Sequence, residues 1–371
     1  MSSGFKTTSQ RIADRFTFGW ITPSLISVVL GSLVVLLCAT LAQVSFGAYQ
    51  LTLAEAWHGI FDPDVIFSLE AWGTFLLGHP LPKWFSRTTL VVWNIRFPRI
   101  IVGLLVGSNL AVSGAIFQAV TRNELASPYI LGVSQGAGLV IMLIVMFFAS
   151  LQPILPILAA IGGAIAFLLV YAIAWDNGAN PIRLVLAGVI VGTVFGSVQR
   201  GLFFFVDDLG TIMAARTWMA GSLLGTDWAQ VRIALPFSII SLTLALAVSR
   251  QLNVLLLGEE TAKTLGMSVE KIRFGVSAIA VLCASAAVAV AGLVGFVGLI
   301  VPHMVRTIVG SDYKQLLVGC LFLGPAILVG ADVAARLALS PIQLPVGVIM
   351  GIFGGPYFLY LMRKKSNLGE I

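Results

Sequence analysis

This sequence predicts an all-α, polytopic membrane protein of ten transmembrane helices, on three observations. Hydrophobic residues fill 58% of the 371 positions and charged residues only 10%. The mean hydropathy is +1.00. The few charges fall between long uncharged runs rather than within them. A soluble domain is about 45–50% apolar and about 25% charged, so too few charges remain to clothe a water-soluble globule. That excludes a cytosolic enzyme, a nucleic-acid binder and a disordered chain. The net charge of +6 reads as membrane orientation, because the basic residues gather at the chain ends and between apolar runs.

A span needs roughly 20 mostly apolar residues to cross a hydrocarbon core about 30 Å thick. The first lies between Arg15 and Glu55, centred on 26–41, and the second between Arg99 and Arg122. The uncharged stretch from Glu124 to Asp176 holds two, divided near Gln152 and Pro153. A fifth follows Arg183 to about Phe205, interrupted by Arg200, and a sixth fills 233–249. The run 274–305 is too long for one upright helix. Gly292, Gly295, Gly298 and Pro302 divide it into a span and a short broken one, and 316–331 and 337–362 supply the last two.

Parity favours ten over nine. Lys6, Arg11 and Arg15 flank the first span, and Arg363, Lys364 and Lys365 flank the last. Basic residues near span ends favour the cytoplasmic side, which places both termini inside. Cytoplasmic tails 1–20 and 363–371 then enclose one membrane domain, 21–362. Its loop 250–273 is cytoplasmic and its loop 50–95, with Trp57, Trp72, Trp84 and Trp93, is external. The first apolar run is long enough to span and shows no small-residue cleavage site, so it is expected as a retained helix rather than a signal peptide.

Helices in lipid associate by close packing, which small residues permit. Gly188, Gly192 and Gly196 form one row at four-residue spacing, Gly347, Gly351 and Gly355 another, and Gly103 and Gly107 a third. These rows are expected to pack within the subunit. Pro128, Pro302, Pro341 and Pro345 lie in or beside spans, where freed backbone groups need protein or water, as in the broken helices of transport pathways. Cys38, Cys283 and Cys320 sit in apolar runs without CxxC spacing and read as small core residues.

The chemistry that is missing narrows the function. The sequence has no GxxxxGK[ST] phosphate loop, no HExxH, no GxSxG and no Cys/His cluster, so it cannot hydrolyse ATP by the P-loop route. No metal site or cofactor is expected; His58 and His79 share the 50–95 loop without a ligand pattern. Only Arg200, Asp332 and Arg336 stand out as charges near span ends, and Arg200 reads as an interfacial side chain that snorkels. Proton- or sodium-driven carriers generally place carboxylates or unwound carbonyls at the midplane. With neither visible, the energy is expected from a partner. An ion-coupled secondary transporter and an intramembrane enzyme are the weaker alternatives.

The 250–273 loop reads LLLGEETAKTLGMSVEKIRFG. It offers a helical face of Leu257, Thr261, Thr264 and Leu265, a stop at Gly266, and a second short amphipathic stretch. Such a helix–Gly–helix suits a groove on another protein.

This loop resembles the coupling helices of permease subunits of type II ABC importers, the FecCD family that takes up iron–siderophores, haem and cobalamin. The resemblance extends from Trp93 to Met362. It is carried by WNIRFPRIIVGLLVGSNLAVSGAIFQAVTRN, LASPYILGVSQGAG, RLVLAGV, GLVGFVGLIVPHMVR and ADVAARLA followed by LPVGV. The resemblance implies the type II ABC importer fold and a multi-pass protein of the cell inner membrane. It also implies a second permease subunit, identical or homologous, two cytoplasmic ATP-binding subunits and an external substrate-binding protein. Transport by alternating access would follow from these.

Residue by residue, Gly258, Glu259, Ala262, Leu265 and Gly266 match the ATPase-coupling pattern, with Glu260 beside them. Arg96, Arg99 and Arg336 match the arginines on which the binding protein docks, and Asn123 and Leu125 match the cytoplasmic gate. At the gate Glu124 replaces the proline of an Asn-Pro-Leu motif. Asn180-Pro181-Ile182 receives no gate role, and His303 of VPHMVR matches a motif without an assigned role. The expected cargo is an iron chelate of siderophore type, with haem and cobalamin as alternatives within the family.

Overall fold

A backbone inside hydrocarbon must satisfy its own N–H and C=O groups, which an α-helix does within one segment. The computed structural model describes residues 20–47, 49–176, 180–340 and 342–366, and it builds the uncharged runs as helices. In chain order these are α1 (Pro23–Ser45), α2 (Leu53–Ile60), α3 (Phe97–Thr121), α4 (Val133–Phe147), α5 (Leu155–Ala174), α6 (Pro181–Leu202) and α7 (Leu209–Ala220). There follow α8 (Trp228–Ala247), α9 (Ser249–Leu256), α10 (Glu259–Thr264), α11 (Val269–Ala291), α12 (Val297–Val309), α13 (Tyr313–Leu337) and α14 (Val346–Ser366). Seven helices among the described residues are long and apolar enough to cross a membrane, and α4, α12 and the first part of α14 are shorter apolar helices. These ten coincide with the ten predicted spans.

Polar caps fix where the helices start. The Thr22 hydroxyl accepts from the Leu25 N–H, the Asn180 side chain from Ile182, and Asp312 from Lys314 and Gln315. Asp227 and Gln230 form a reciprocal capping box on α8, satisfying donors that a bare helix start would leave open.

Helix α3 is the axis of the bundle. Most of it is buried, and it packs against α13, α11, α12 and α8. Its small residues let other backbones touch it: a Cβ on Gly107 would lie 2.6 Å from the Gly324 carbonyl oxygen, and one on Gly114 would collide with the Gly298 carbonyl. Within this apolar interior Asn109 bridges α3 to α8. Its Nδ2 donates to Ser238 Oγ at 2.7 Å and its Oδ1 accepts from Ser241 Oγ at 2.9 Å.

The structure corrects several expectations. Within the 50–95 segment, residues 87–96 are helical and run into α3. Trp228 of α8 docks this segment on the bundle, its Nε1 donating to the Trp93 carbonyl at 2.8 Å, and Phe75 stacks on both Trp93 and Trp228. Arg200 does not interrupt α6, which is continuous to Leu202. Helix α7 was not foreseen, because Arg216 and a length of 12 residues hide it from a search for spans. Gly347 packs tightly on the Ala220 carbonyl, but Gly351 and Gly355 meet nothing within 4 Å, so that row is only partly an internal seam. Cys283 and Cys320 are buried, whereas Cys38 faces outward from α1. Pro341 lies outside the described residues.

Candidate functional site

Two groups of charged residues stand at the two ends of the apolar bundle. At one end α1 finishes, α3 starts and α13 finishes, which brings Gln43, Arg96, Arg99, Asp332 and Arg336 together although they span almost three hundred residues. Arg99 grips Asp332 with both prongs of its guanidinium, Nε to Oδ2 at 2.7 Å and Nη2 to Oδ1 at 2.9 Å. Its third prong, Nη1, donates to Gln343 Oε1 at 2.9 Å. Gln43 Nε2 donates to the same Asp332 Oδ2 at 2.7 Å, and Arg336 Nη1 donates to the Gln43 carbonyl at 3.0 Å. That carbonyl belongs to the last turn of α1, where unsatisfied acceptors favour a cation. Arg96 donates through Nη2 to the Tyr49 carbonyl.

Among the described residues this cluster groups three guanidiniums with one carboxylate, and Arg99 is the guanidinium that binds it. Arg96 Nη1, Arg336 Nε and Gln43 Oε1 are buried without a hydrogen-bond partner, so the cluster has spare donors and surplus positive charge. Gly47 covers it: a side chain there would collide with the Arg336 guanidinium, and its φ of +149° also favours glycine. All three sequence-predicted arginines are thus gathered in one place. Arg99, however, is already filled by Asp332.

At the opposite end stands α10. Gly258, with φ +108°, and Gly266, with φ +79°, bracket it in backbone conformations that L side chains rarely adopt. Ala262 is its buried contact with the bundle. Glu260, Leu265 and Gly266 are exposed, and Leu257 and Leu265 keep well over half their surface open. Glu259 pairs with Lys263 at 3.1 Å and with the buried Arg273 at 3.4 Å. The hydrogen bond from Lys263 holds its carboxyl below the usual range; the Arg273 charge adds to this and partial burial opposes it. The second amphipathic stretch expected after Gly266 is instead the first turns of the long α11.

Beside it, Arg122 closes α3 in the left-handed region, φ +47°, and its Nε donates to the Leu255 carbonyl at 3.2 Å. Asn123 Oδ1 then accepts from the Leu125 N–H at 2.9 Å, a local turn that side chains of this type favour. Leu125 is exposed. The departure at Glu124 and the unassigned His303 prove to be neighbours: Glu124 lies 3.5 Å from His303 Nδ1 and 3.6 Å from Arg306 Nη1. Arg306 also donates to Gln118 Oε1 at 3.0 Å. The sequence placed Glu124 and His303 in separate motifs and gave no signal of this contact.

With both ends described, the chain can be set beside known proteins. The model of the FecCD transport family matches residues 32–364, which spans α3, α10 and the whole arginine cluster. The chain belongs to the FecCD transport family. Among its FecCD relatives is the Fe(3+)-citrate import system permease protein YfmD of Bacillus subtilis (strain 168), 40% identical over 76% of this chain and 84% of that one. Another is the cobalamin import system permease protein BtuC of Halobacterium salinarum, 41% identical over 80% of each. The FecCD fold is also seen in a solved structure described as an inward-facing conformation of a metal-chelate type ABC transporter. That match has a TM-score of 0.77 at 25% identity and covers 91% of this chain and 99% of that one.

Proposed function

We propose that this chain is the membrane-spanning permease subunit of an ATP-driven importer that takes an iron chelate from an external binding protein into the cytoplasm. The observation that carries the reading is the division of polar chemistry between the two ends of an otherwise apolar bundle. One end holds surplus guanidinium charge; the other holds a short exposed helix between two positive-φ glycines. The family membership supports it, since relatives bear the names of iron-citrate and cobalamin import permeases.

In this reading both termini and α10 are cytoplasmic, and two ATP-binding subunits seat on Glu259 to Gly266. Ala262 anchors the helix to the bundle and exposed Leu265 enters the partner's groove. A second permease subunit completes the pathway. The binding protein docks at the arginine end, where complementary charge sets orientation and encounter rate. Arg96 and Arg336, which keep unpaired donors, take acidic side chains of that protein once Gly47 and Tyr49 lift. Arg99 contributes its charge while holding α13 in register through Asp332. Asn123 and Leu125 form the inner gate beside α12. No resident cofactor is required, and energy enters through the ATP-binding partners.

The test is reconstitution. Vesicles holding this chain, its ATP-binding subunits and its binding protein should accumulate the iron chelate only with ATP. Arg96→Glu with Arg336→Glu should weaken association with the binding protein at least tenfold at low salt. Accumulation driven by an ion gradient without any ATPase would overturn the importer reading; unchanged association would remove the two arginines from the docking site.

A further inference from the structure

A cavity of about 390 Å³ lies along α6, lined neither by the arginine cluster nor by α10. It opens where helices are interrupted. Tyr129 and Ile130 before α4 and Gln135 in its first turn form one wall, α6 a second, and Met219 of α7 with Leu293, in the break between α11 and α12, closes the back. The interruptions are held by backbone pairing: Leu293 N–H donates to the Trp218 carbonyl at 3.0 Å and Ser222 N–H to the Ala291 carbonyl at 2.8 Å. Gly192 and Gly196 keep the α6 wall low; side chains in their place would reach into the open space, since ordinary contact or less is all that a Cβ would meet there.

Polar groups face this space from a segment that is otherwise among the apolar spans. Gln135, Thr193, Gln199 and Arg200 line it, and among the described residues no acidic one does. Gln199 is buried and pinned by its Nε2 donating to the Gln135 carbonyl at 2.7 Å. Arg200 is exposed; its Nη2 donates to Ser197 Oγ at 3.0 Å on its own helix. Among the described residues it has no acidic partner. Arg183 in the first turn of α6 pairs with Asp176 just beyond α5, and Tyr171 near the end of α5 contacts Glu270 at the start of α11, on the α10 side, so Arg200, near the finish of α6, sits on the side toward the arginine cluster.

A guanidinium facing lipid from within a span is costly, and such a charge marks a protein- or water-lined path. The Arg200 side chain turns back along its own helix to Ser197, beside Gly196, and lines the cavity there. We propose that Arg200 makes this cavity a transit site for carboxylate-bearing iron chelates, selecting them over neutral ones. The proposal rests on the importer reading and narrows its cargo. A guanidinium matches a carboxylate in both charge and fork geometry. Ferric ion bound by citrate-type ligands keeps uncompensated carboxylates, and haem carries two propionates. A ferric trihydroxamate, three single negative charges on Fe(III), is neutral and offers the fork nothing. One such contact also suits passage, because a transit site must bind weakly enough to release.

The complete transporter, with ATP-binding subunits and binding protein, is reconstituted with wild type, Arg200→Gln or Arg200→Lys. Uptake of ferric citrate, haem and a neutral ferric trihydroxamate is measured separately. The expected result is uptake of at least one carboxylate chelate and not of the trihydroxamate, with KM for that chelate raised about tenfold or more in Arg200→Gln and largely restored in Arg200→Lys. Which of citrate and haem is taken up identifies the carboxylate source. Wild-type uptake of the trihydroxamate alone, equal uptake by Arg200→Gln, or uptake of none of the three by an ATPase-active complex overturns the assignment and leaves the importer reading intact. Failure of the chain to assemble with any ATP-binding subunit sinks the importer reading, and this one with it.

Discussion

Arg99 and Asp332 lock the start of α3 to the end of α13 through a two-pronged ion pair of 2.7 and 2.9 Å, with both side chains almost wholly buried. Burial makes the pair asymmetric in its consequences. Removing one partner strands a charge and costs about 3–5 kcal/mol, whereas replacing both with apolar side chains is often neutral. Arg99→Ala or Asp332→Ala alone should therefore lower the thermal midpoint of the detergent-solubilised protein by many degrees. Arg99→Met with Asp332→Leu should recover most of that loss. Additive losses in the double variant would show that the pair is not a unit.

Close backbone approach gives a second test with an internal control. Gly107 and Gly324 face each other with carbonyl oxygens where side chains would be, while Gly351 meets nothing within 4 Å. Gly107→Leu should abolish folded yield, since overpacking a seam costs about 1–3 kcal/mol or more and here the obstacle is backbone. Gly351→Leu should purify like wild type, by size-exclusion profile. Loss of folded monomer in Gly351→Leu would show that this face is packed after all.

The contrast between those glycines shows what a sequence can disclose. Runs free of charge set the spans, so α1, α3, α5 and α13 were legible from length alone, as was the break at Gly292. Spacing could not say which glycines touch another backbone, because Gly107 and Gly351 have the same pattern and different neighbours. The arginine trio was legible only through motif resemblance. Its partner Asp332 is separated from Arg99 by 233 positions, a distance at which only the fold reports contact. Glu124 and His303 were hidden for the same reason.

Helix α10, proposed above as the seat of the ATP-binding subunits, is open to two independent perturbations. Gly266 holds φ +79° with open space around it, so Gly266→Val costs about 1–2 kcal/mol of local backbone strain without any clash. ATP hydrolysis should continue while chelate uptake falls severalfold; tight coupling in the variant would detach α10 from the drive. Acid probes the same helix. The Glu259 carboxyl is held below its ordinary value of 4.5, first by Lys263, so its charged form stabilises the fold above that value and the contribution is lost as pH falls through the lower, folded one. The protection factors of the α10 amides, taken relative to the intrinsic exchange rate at each pH, should be flat from about pH 7 to about pH 5 and should drop below about pH 4, in wild type but not in Glu259→Gln.

Glu124 supplies the last test, because it stands where the motif it resembles has proline. A proline would stiffen the turn after α3 by fixing its own φ and restricting Asn123 before it. Here Glu124 lies instead against His303 Nδ1 at 3.5 Å and the Arg306 guanidinium at 3.6 Å, while Arg122 anchors α3 to Leu255. The carboxylate is about 40% exposed, so its ion pairs are worth less than about 1 kcal/mol and global stability should barely move in Glu124→Gln. What should change is the segment itself: faster amide exchange over 123–126 and a higher leak of chelate through vesicles without ATP. Glu124→Pro should reverse both effects, since it restores stiffness by another route. If Glu124→Gln leaves exchange and leak at wild-type values, the ion pairs do not hold this turn and Asn123 alone fixes it.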